Sequence, residues 1–85
     1  MVKYKIEIKK SAVKEINKLP AEDIKKILAK ISLLADQPRP QNCIKLSADE
    51  KFRIRCGVYR ILYEIRDKVL IVIVVKVAHR KDVYK

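Results

Sequence analysis

The chain has 85 residues, 49% of them hydrophobic and 36% charged, which allows one folded domain and excludes a disordered chain. Its 21 Lys and Arg against 10 Asp and Glu leave a formal net charge of +11, which favours a polyanionic partner, most simply nucleic acid, over a merely soluble basic surface. One glycine, one histidine and two cysteines are too few for a P-loop, a dinucleotide-binding glycine fingerprint or a structural zinc site.

The N-terminal segment, residues 2–9, alternates apolar and charged side chains. This period of two predicts a strand with one buried and one solvent-facing side. The segment lacks the continuous apolar stretch of a signal peptide, and the longest apolar run of the chain, residues 69–75, is far shorter than the ~20 residues that cross a bilayer. We therefore expect a cytoplasmic protein without a membrane partner.

Two helices are predicted after this strand. Ser11 is placed to cap a short first helix, and Pro20 to begin a second one that carries Glu22 and Asp23 in its first turn. The second helix ends at residues 36–40, where two prolines cannot continue it. Its helically spaced apolar residues form one stripe that we assign to the core: Ile24, Ile27, Leu28, Ile31, Leu34 and Ala35.

Three strands are predicted in the second half of the chain, over residues 52–56, 59–66 and 69–77. Residues 57–58 form a tight connection whose turn type the sequence leaves open, and residues 67–68 form a two-residue turn. The last strand is β-branched and apolar on both faces, which favours the centre of a sheet.

The order of these elements, β-α-α-β-β-β, predicts an α+β fold in which an antiparallel sheet of about four strands is backed by two N-terminal helices. We expect a single domain over residues 1–85, because no linker, repeat or low-complexity tract interrupts the pattern. Tyr59 and Tyr63 share a face with apolar residues and are assigned to the core. Cys43 and Cys56 are expected to be two buried thiols rather than a disulfide.

Arginines are concentrated around the predicted strands. Alternation puts Arg53 and Arg55 on one strand face, and Arg60 begins the adjoining strand. Arg80 follows the last strand, and we expect it to converge on the same face. Four guanidiniums on one sheet face can bind phosphates bidentately and stabilise charge on a pentavalent phosphorus. The alternative is an ordinary solvated basic face with scattered salt bridges to Glu50, Glu64 or Asp82.

Two segments together resemble a known family. Residues 52–65 read Phe-Arg-Ile-Arg-Cys-Gly-Val-Tyr-Arg-Ile-Leu-Tyr-Glu-Ile, and residues 77–84 read Val-Ala-His-Arg-Lys-Asp-Val-Tyr. In combination, and with the β-α-α-β-β-β order, they resemble the RelE/ParE toxin superfamily over essentially the whole chain. The resemblance implies the toxin half of a type II toxin–antitoxin pair. RelE-type members are ribosome-dependent mRNA endonucleases, whereas ParE-type members inhibit DNA gyrase.

For a RelE-like toxin, the resemblance implies a metal-independent endoribonuclease, an mRNA interferase without a cofactor. The ribose 2′-hydroxyl attacks the adjacent phosphate and leaves a 2′,3′-cyclic phosphate and a 5′-hydroxyl, so that RNA and not DNA is cut. The family pattern falls on four residues predicted to be catalytic: Arg55, Arg60, Arg80 and Tyr84. Contacts to RNA are predicted for Arg53, His79 and Lys81.

The general acid and base stay open at this point. Relatives can carry Lys in the strand pair where this chain has Arg53 and Arg55, and an arginine stays protonated and cannot act as a base. His79 is the only side chain that titrates near neutrality unaided. It is interpreted as an acid, a base or an RNA contact, with a structural histidine at a strand end as the alternative. Lys51 is expected on the face opposite to the strand arginines.

Three functions compete on the sequence. The first is the ribosome-dependent interferase, the alternative is a non-catalytic gyrase inhibitor of the ParE type, and the third is a degenerate member that only binds nucleic acid. The partners implied are an acidic, RelB-like antitoxin and the ribosomal A site with its mRNA. The toxin–antitoxin complex is expected to bind its own operator DNA through the antitoxin, and no metal is expected at the site.

Overall fold

A computed structural model of the chain describes residues 3–46 and 51–79. The described residues form two helices and five strands. In chain order these are β1 (Lys5–Ile8), α1 (Lys10–Asn17), α2 (Ala21–Leu33), β2 (Ile44–Lys45), β3 (Lys51–Cys56), β4 (Tyr59–Arg66) and β5 (Ile71–His79). No helix among the described residues is long and apolar enough to span a bilayer.

The five strands form one sheet in the order β1-β5-β4-β3-β2. The pairs β2–β3, β3–β4 and β4–β5 are antiparallel, whereas β1 runs parallel to β5. The α+β fold with two helices is confirmed, and two details of the prediction are corrected. The sheet has a fifth strand, because two residues of β2 are too few to show alternation. The pairing at the β1 edge is parallel, because the antiparallel hairpins from β3 to β5 leave β5 running in the same direction as β1.

The helices pack on one side of the sheet and enclose the core. Tyr63 is buried there, with its ring 5.8 Å from that of Phe52, and its hydroxyl donates to the Pro38 carbonyl oxygen at 2.8 Å. Burial raises the Tyr63 pKa well above its usual range. The core assignment of the tyrosines is therefore confirmed. The buried residues that form the core include Ala12, Ile16, Ile27, Ile31, Leu34, Ile54, Ile61, Ile65, Val72, Val74 and Val77.

The two cysteines are free thiols, as predicted, and both are only partly buried. Cys56 packs against the edge of the core from the end of β3. Loss of solvent raises the pKa of the Cys56 thiol, which works against a nucleophilic role.

Helix α1 begins two residues before the predicted position, and α2 begins one residue after it. Lys9, and not Ser11, precedes α1 as its cap, and its side chain donates no capping hydrogen bond. Pro20 caps α2 instead of beginning it, and its carbonyl oxygen accepts from the N–H groups of Asp23 and Ile24 at 3.0 Å. Neither helix therefore has a side-chain cap, and the Pro20 carbonyl makes the usual first bonds of α2.

The two hairpin turns differ from each other. Gly57 has a φ of 61°, and Val58 is not in the positive-φ region, which is the pattern of a type II′ turn. The predicted two-residue turn after β4 is wrong, because the turn covers residues 67–70 and β5 begins at Ile71. Leu70 takes a φ of 56° there, and its carbonyl oxygen accepts from the Lys5 N–H at 2.8 Å. This contact starts the pairing of β1 with β5.

A polar cluster holds this second turn. The Asp67 carboxylate accepts two hydrogen bonds from Arg39, at 2.7 and 3.1 Å, and one from the Tyr4 hydroxyl at 2.6 Å. The Arg39 guanidinium also lies over the Phe52 ring at 5.3 Å. The cluster thus ties the start of β1, the loop after α2 and the β4–β5 turn together. Hydrogen bonds from Arg39 and Tyr4 lower the pKa of Asp67 from 3.8 to about 2.

Because this pKa is lower in the folded state, Asp67 stabilises the fold above pH 3.8, and that contribution is lost as pH falls towards 2. We therefore expect Asp67→Asn to be less stable than the wild type at pH 6, with the difference shrinking between pH 4 and pH 2. Urea denaturation across this range measures it. Asp36→Asn, which removes an exposed ion pair with Lys3 of 3.9 Å, is the matched control. A difference that is constant with pH would contradict the assignment.

The pairing of β5 changes along its length. A bulge at Leu62 and Tyr63 of β4 leaves one extra residue, Val75, on β5 between the partners Val74 and Lys76. On its other side, β5 pairs with β1 only from Ile71 to Val74. The predicted location of this strand inside the sheet is therefore confirmed for its first half, whereas residues 75–79 adjoin no second described strand.

Candidate nucleic-acid interface

Three arginines share the sheet face that points away from the helices. Phe52 and Ile54 of β3 are buried on the helix side, so alternation turns Arg53 and Arg55 to the other side. Arg60 of β4 pairs directly with Arg55 in the register, and directly opposite residues of an antiparallel pair share a face with Cβ atoms about 5 Å apart. We call Arg53, Arg55 and Arg60 the arginine face.

Arg60 is the one charged residue that is buried among the residues described, at 2% exposed. Arginine side chains are rarely buried to this extent, so Arg60 stands out among the charged residues described. Arg55, directly opposite, is exposed, and like charges at directly opposite positions destabilise a sheet. The register therefore places two arginines at directly opposite positions on this face.

Lys51 extends this face, contrary to expectation. It belongs to the same alternating set as Arg53 and Arg55 and pairs in register with Glu64 of β4. Glu64 in turn forms an ion pair with Arg66 on its own strand, with 3.2 Å between Arg66 Nη2 and Glu64 Oε2. By alternation Arg66 lies on the same face of β4 as Arg60, so the predicted alternative of a salt bridge from a sheet arginine to Glu64 is present at Arg66.

His79 lies on the opposite side of the sheet from the arginine face. It pairs in register with Tyr59, and the two rings meet edge to face at 5.7 Å. Tyr59 faces the helices, because its hydroxyl donates to Asp23 Oδ2 of α2 at 2.9 Å. The structure therefore does not bring His79 together with Arg55 and Arg60, although it precedes Arg80 in the sequence. Successive residues of a strand point to opposite faces.

Three of the predicted site residues, Arg80, Lys81 and Tyr84, lie outside the described residues, as do Glu50 and Asp82. Within residues 3–46 and 51–79, no three His, Cys, Asp or Glu side chains gather as metal ligands. The described part of the site therefore contributes the positive charges of the arginine face, which the sheet holds in place.

A second basic surface on the helices was missed by the sequence analysis. Lys10 and Lys14 of α1 and its C-cap Lys18 are exposed at spacings of four, so they line one side of the helix. None of them forms an ion pair with the acidic residues that the structure describes. The four-residue spacing could have revealed this row, which adds to the attraction of a polyanion.

Comparison with known proteins identifies the family. The sequence model of the ParE toxin of type II toxin–antitoxin systems matches residues 6–84. The chain belongs to the RelE/ParE toxin superfamily. It is also 30% identical over 88 residues to the RelE1 candidate toxin of Methanocaldococcus jannaschii, an alignment that covers 99% of this chain and 98% of the relative.

Solved structures of RelE toxins share the fold of this toxin. The RelE–RelB complex of Pyrococcus horikoshii OT3 matches with a TM-score of 0.81 and 26% identity, covering 94% of this chain and 97% of the other. The RelBE2 toxin–antitoxin complex of Mycobacterium tuberculosis matches with a TM-score of 0.83 and 28% identity over 94% of each chain. The predicted family and fold are thus confirmed, and the chain is the toxin of a toxin–antitoxin pair of the RelE/ParE type.

Proposed function

We propose that this toxin is a ribosome-dependent mRNA endonuclease that stops translation by cutting mRNA in the ribosomal A site. The observation that carries the proposal is the direct pairing of Arg55 with the buried Arg60. An inhibitor that acts by binding a protein surface does not require two arginines at directly opposite positions of a sheet. A phosphate bound between these two arginines can be held by both, because each guanidinium can donate two hydrogen bonds to the phosphate oxygens.

In the proposed reaction, the ribose 2′-hydroxyl attacks the neighbouring phosphorus, and the bond to the 5′-oxygen breaks. The products are a 2′,3′-cyclic phosphate and a 5′-hydroxyl. Negative charge builds on the non-bridging oxygens in the transition state, where fixed cations stabilise it most. Arg55 and Arg60 supply this charge, with Arg53 along the same strand holding the adjacent phosphate. Arginines remain protonated, so they hold the phosphate and do not carry the proton.

Residues outside the described part of the chain complete the proposal. Arg80 is proposed as a further phosphate ligand and Lys81 as an RNA contact, while Tyr84 stacks on or orients the nucleotide. For His79, the contact with Tyr59 on the helix side supports a structural role better than a catalytic one.

A RelB-like antitoxin is the proposed partner of this chain. Both solved relatives named above are complexes of a RelE toxin with its antitoxin. The net charge of +11 favours an acidic partner segment, and binding of the complex to operator DNA is proposed to take place through the antitoxin.

The second candidate is a gyrase inhibitor of the ParE type, which is favoured by one observation: the family model that matches is that of the ParE toxin. This function needs binding to a protein and no phosphate chemistry. The two candidates therefore predict different products in the cell.

Mapping of mRNA 5′ ends after induction of the toxin tests the proposal. We expect new 5′-hydroxyl ends within reading frames at a fixed position in the codon, together with cleavage of mRNA on programmed ribosomes by the purified toxin. The Arg55→Ala variant, induced to the same level, is the control and should yield no such ends. Induced DNA damage without mRNA cleavage would instead support the gyrase inhibitor.

A further inference from the structure

Among the described residues, the second half of β5 has no strand partner on the side where β1 ends, and we call this side of residues 75–79 the open edge. β1 ends at Ile8, and the Lys9 N–H donates to the Val74 carbonyl oxygen at 3.0 Å before the chain enters α1. β5 continues five residues beyond this point, to His79, with no described strand on that side. The N–H and C=O groups along such an edge are not paired with another strand, so the edge can form hydrogen bonds with an added strand.

A side chain of α1 takes the place of a strand partner at this edge. Glu15 Oε1 accepts from the Val77 N–H at 3.1 Å, and Glu15 Oε2 accepts from Lys76 Nζ at 3.3 Å. A carboxylate can be displaced by a backbone carbonyl of an incoming strand, since both accept the same N–H group. Its departure would also leave the Lys76 ammonium ready for a new acidic group.

A cavity of about 440 Å³ lies beside this edge. Lys18 and Lys76 supply positive charge at its rim, and Leu19, Tyr59 and His79 contribute an apolar and aromatic lining. At 3.3 Å per residue, the five residues of the open edge match an extended segment of about five residues. The charge and lining fit a peptide whose acidic residues meet the lysines while an apolar residue enters the cavity.

We propose that the edge of β5 beyond Val74 binds an extended acidic segment of the antitoxin as an added strand, which displaces Glu15 from the Val77 N–H. This inference rests on the proposed antitoxin partner. The surface lies at the sheet edge beside α1, and its residues Tyr59 and His79 are on the helix side, whereas the arginine face lies on the other side of the sheet. Lys76 starts from the arginine side in the register, and its ammonium reaches Glu15 of α1 at the edge. The antitoxin is therefore anchored at a place that mRNA does not occupy.

Hydrogen exchange in the Glu15→Ala variant tests this docking site. The probe is the product of the reading frame beside the toxin gene, co-expressed with the full toxin chain. In the free variant the Val77 amide loses its acceptor and should exchange fast. In the complex with the antitoxin, the exchange rate of this amide should be at least roughly tenfold lower than in the free variant. Glu22→Ala on α2, a carboxylate exposed to solvent, is the control and should leave the Val77 amide protected in both states. If Glu15→Ala does not fold, Glu15→Gln keeps an acceptor in place, and the antitoxin should then protect the Val77 amide beyond its level in that free variant.

A charge reversal provides a second readout that leaves the sheet untouched. Lys18→Glu at the rim should weaken antitoxin binding by about tenfold or more, while Lys10→Glu, at the other end of the same helix, should change it much less. If the complex forms but the Val77 amide of Glu15→Ala still exchanges fast, the proposed docking site is wrong, while the proposal of an antitoxin partner still stands. The absence of any bound partner would overturn the proposed antitoxin itself.

Discussion

Replacing Arg55 or Arg60 with alanine should lower the single-turnover rate of mRNA cleavage on programmed ribosomes by roughly 10²–10³. This is the typical cost of losing one donor to a developing oxyanion. We expect the same for Arg80→Ala. Ribosome binding should weaken much less, because a chain with a net charge of +11 keeps most of its attraction to RNA after losing one cation.

Two controls separate this effect from a loss of folding. Arg66→Ala changes an exposed arginine at the far end of the strand that carries Arg60 and should cleave at close to the wild-type rate. Arg55→Ala removes one member of a like-charged cross-strand pair, so its unfolding free energy should be no lower than that of the wild type. Cleavage at the wild-type rate by all three site variants would show that the arginine face is not the site.

The antitoxin should bind this toxin at a rate that depends strongly on salt. Opposite charges steer association, so the rate constant should fall by about 10²-fold between low and high salt, while the dissociation rate changes less because apolar contacts hold the complex. Stopped-flow mixing of the toxin with the purified product of the adjacent reading frame measures both rates. In cells, expression of the toxin alone should stop growth, and co-expression of the partner should restore it.

The Arg55→Ala toxin separates binding from toxicity. We expect it to co-purify with the antitoxin while growth continues without the antitoxin, because cleavage and docking use different surfaces. If the wild-type toxin harms growth equally with and without the partner, and no acidic protein co-purifies, the proposed antitoxin is wrong.

Local periodicity made much of this fold predictable. The helical spacing of Ile27, Ile31 and Leu34 predicts the buried side of α2, and all three are buried, whereas Leu28, assigned to the same stripe, is wrong because it lies at the margin of that side and is exposed. The alternation in β3 likewise predicts that Arg53 and Arg55 share the face opposite to Ile54. Such patterns depend on the geometry of a single helix or strand, which neighbouring residues in the chain are enough to determine.

The amino-acid sequence by itself determined the helices, four of the five strands in the described part of the chain, the pair of arginines on β3 and the membership of a toxin family. Only the tertiary structure decided that Arg60 lies buried opposite Arg55, that His79 faces the helices, and that Glu15, rather than a strand among the described residues, accepts from the Val77 N–H at the edge of β5. Each of these depends on which strands pair, in which direction and with which register. Pairing joins residues that are distant in the chain, and a bulge such as that at Val75 shifts the partners of every later residue in the strand.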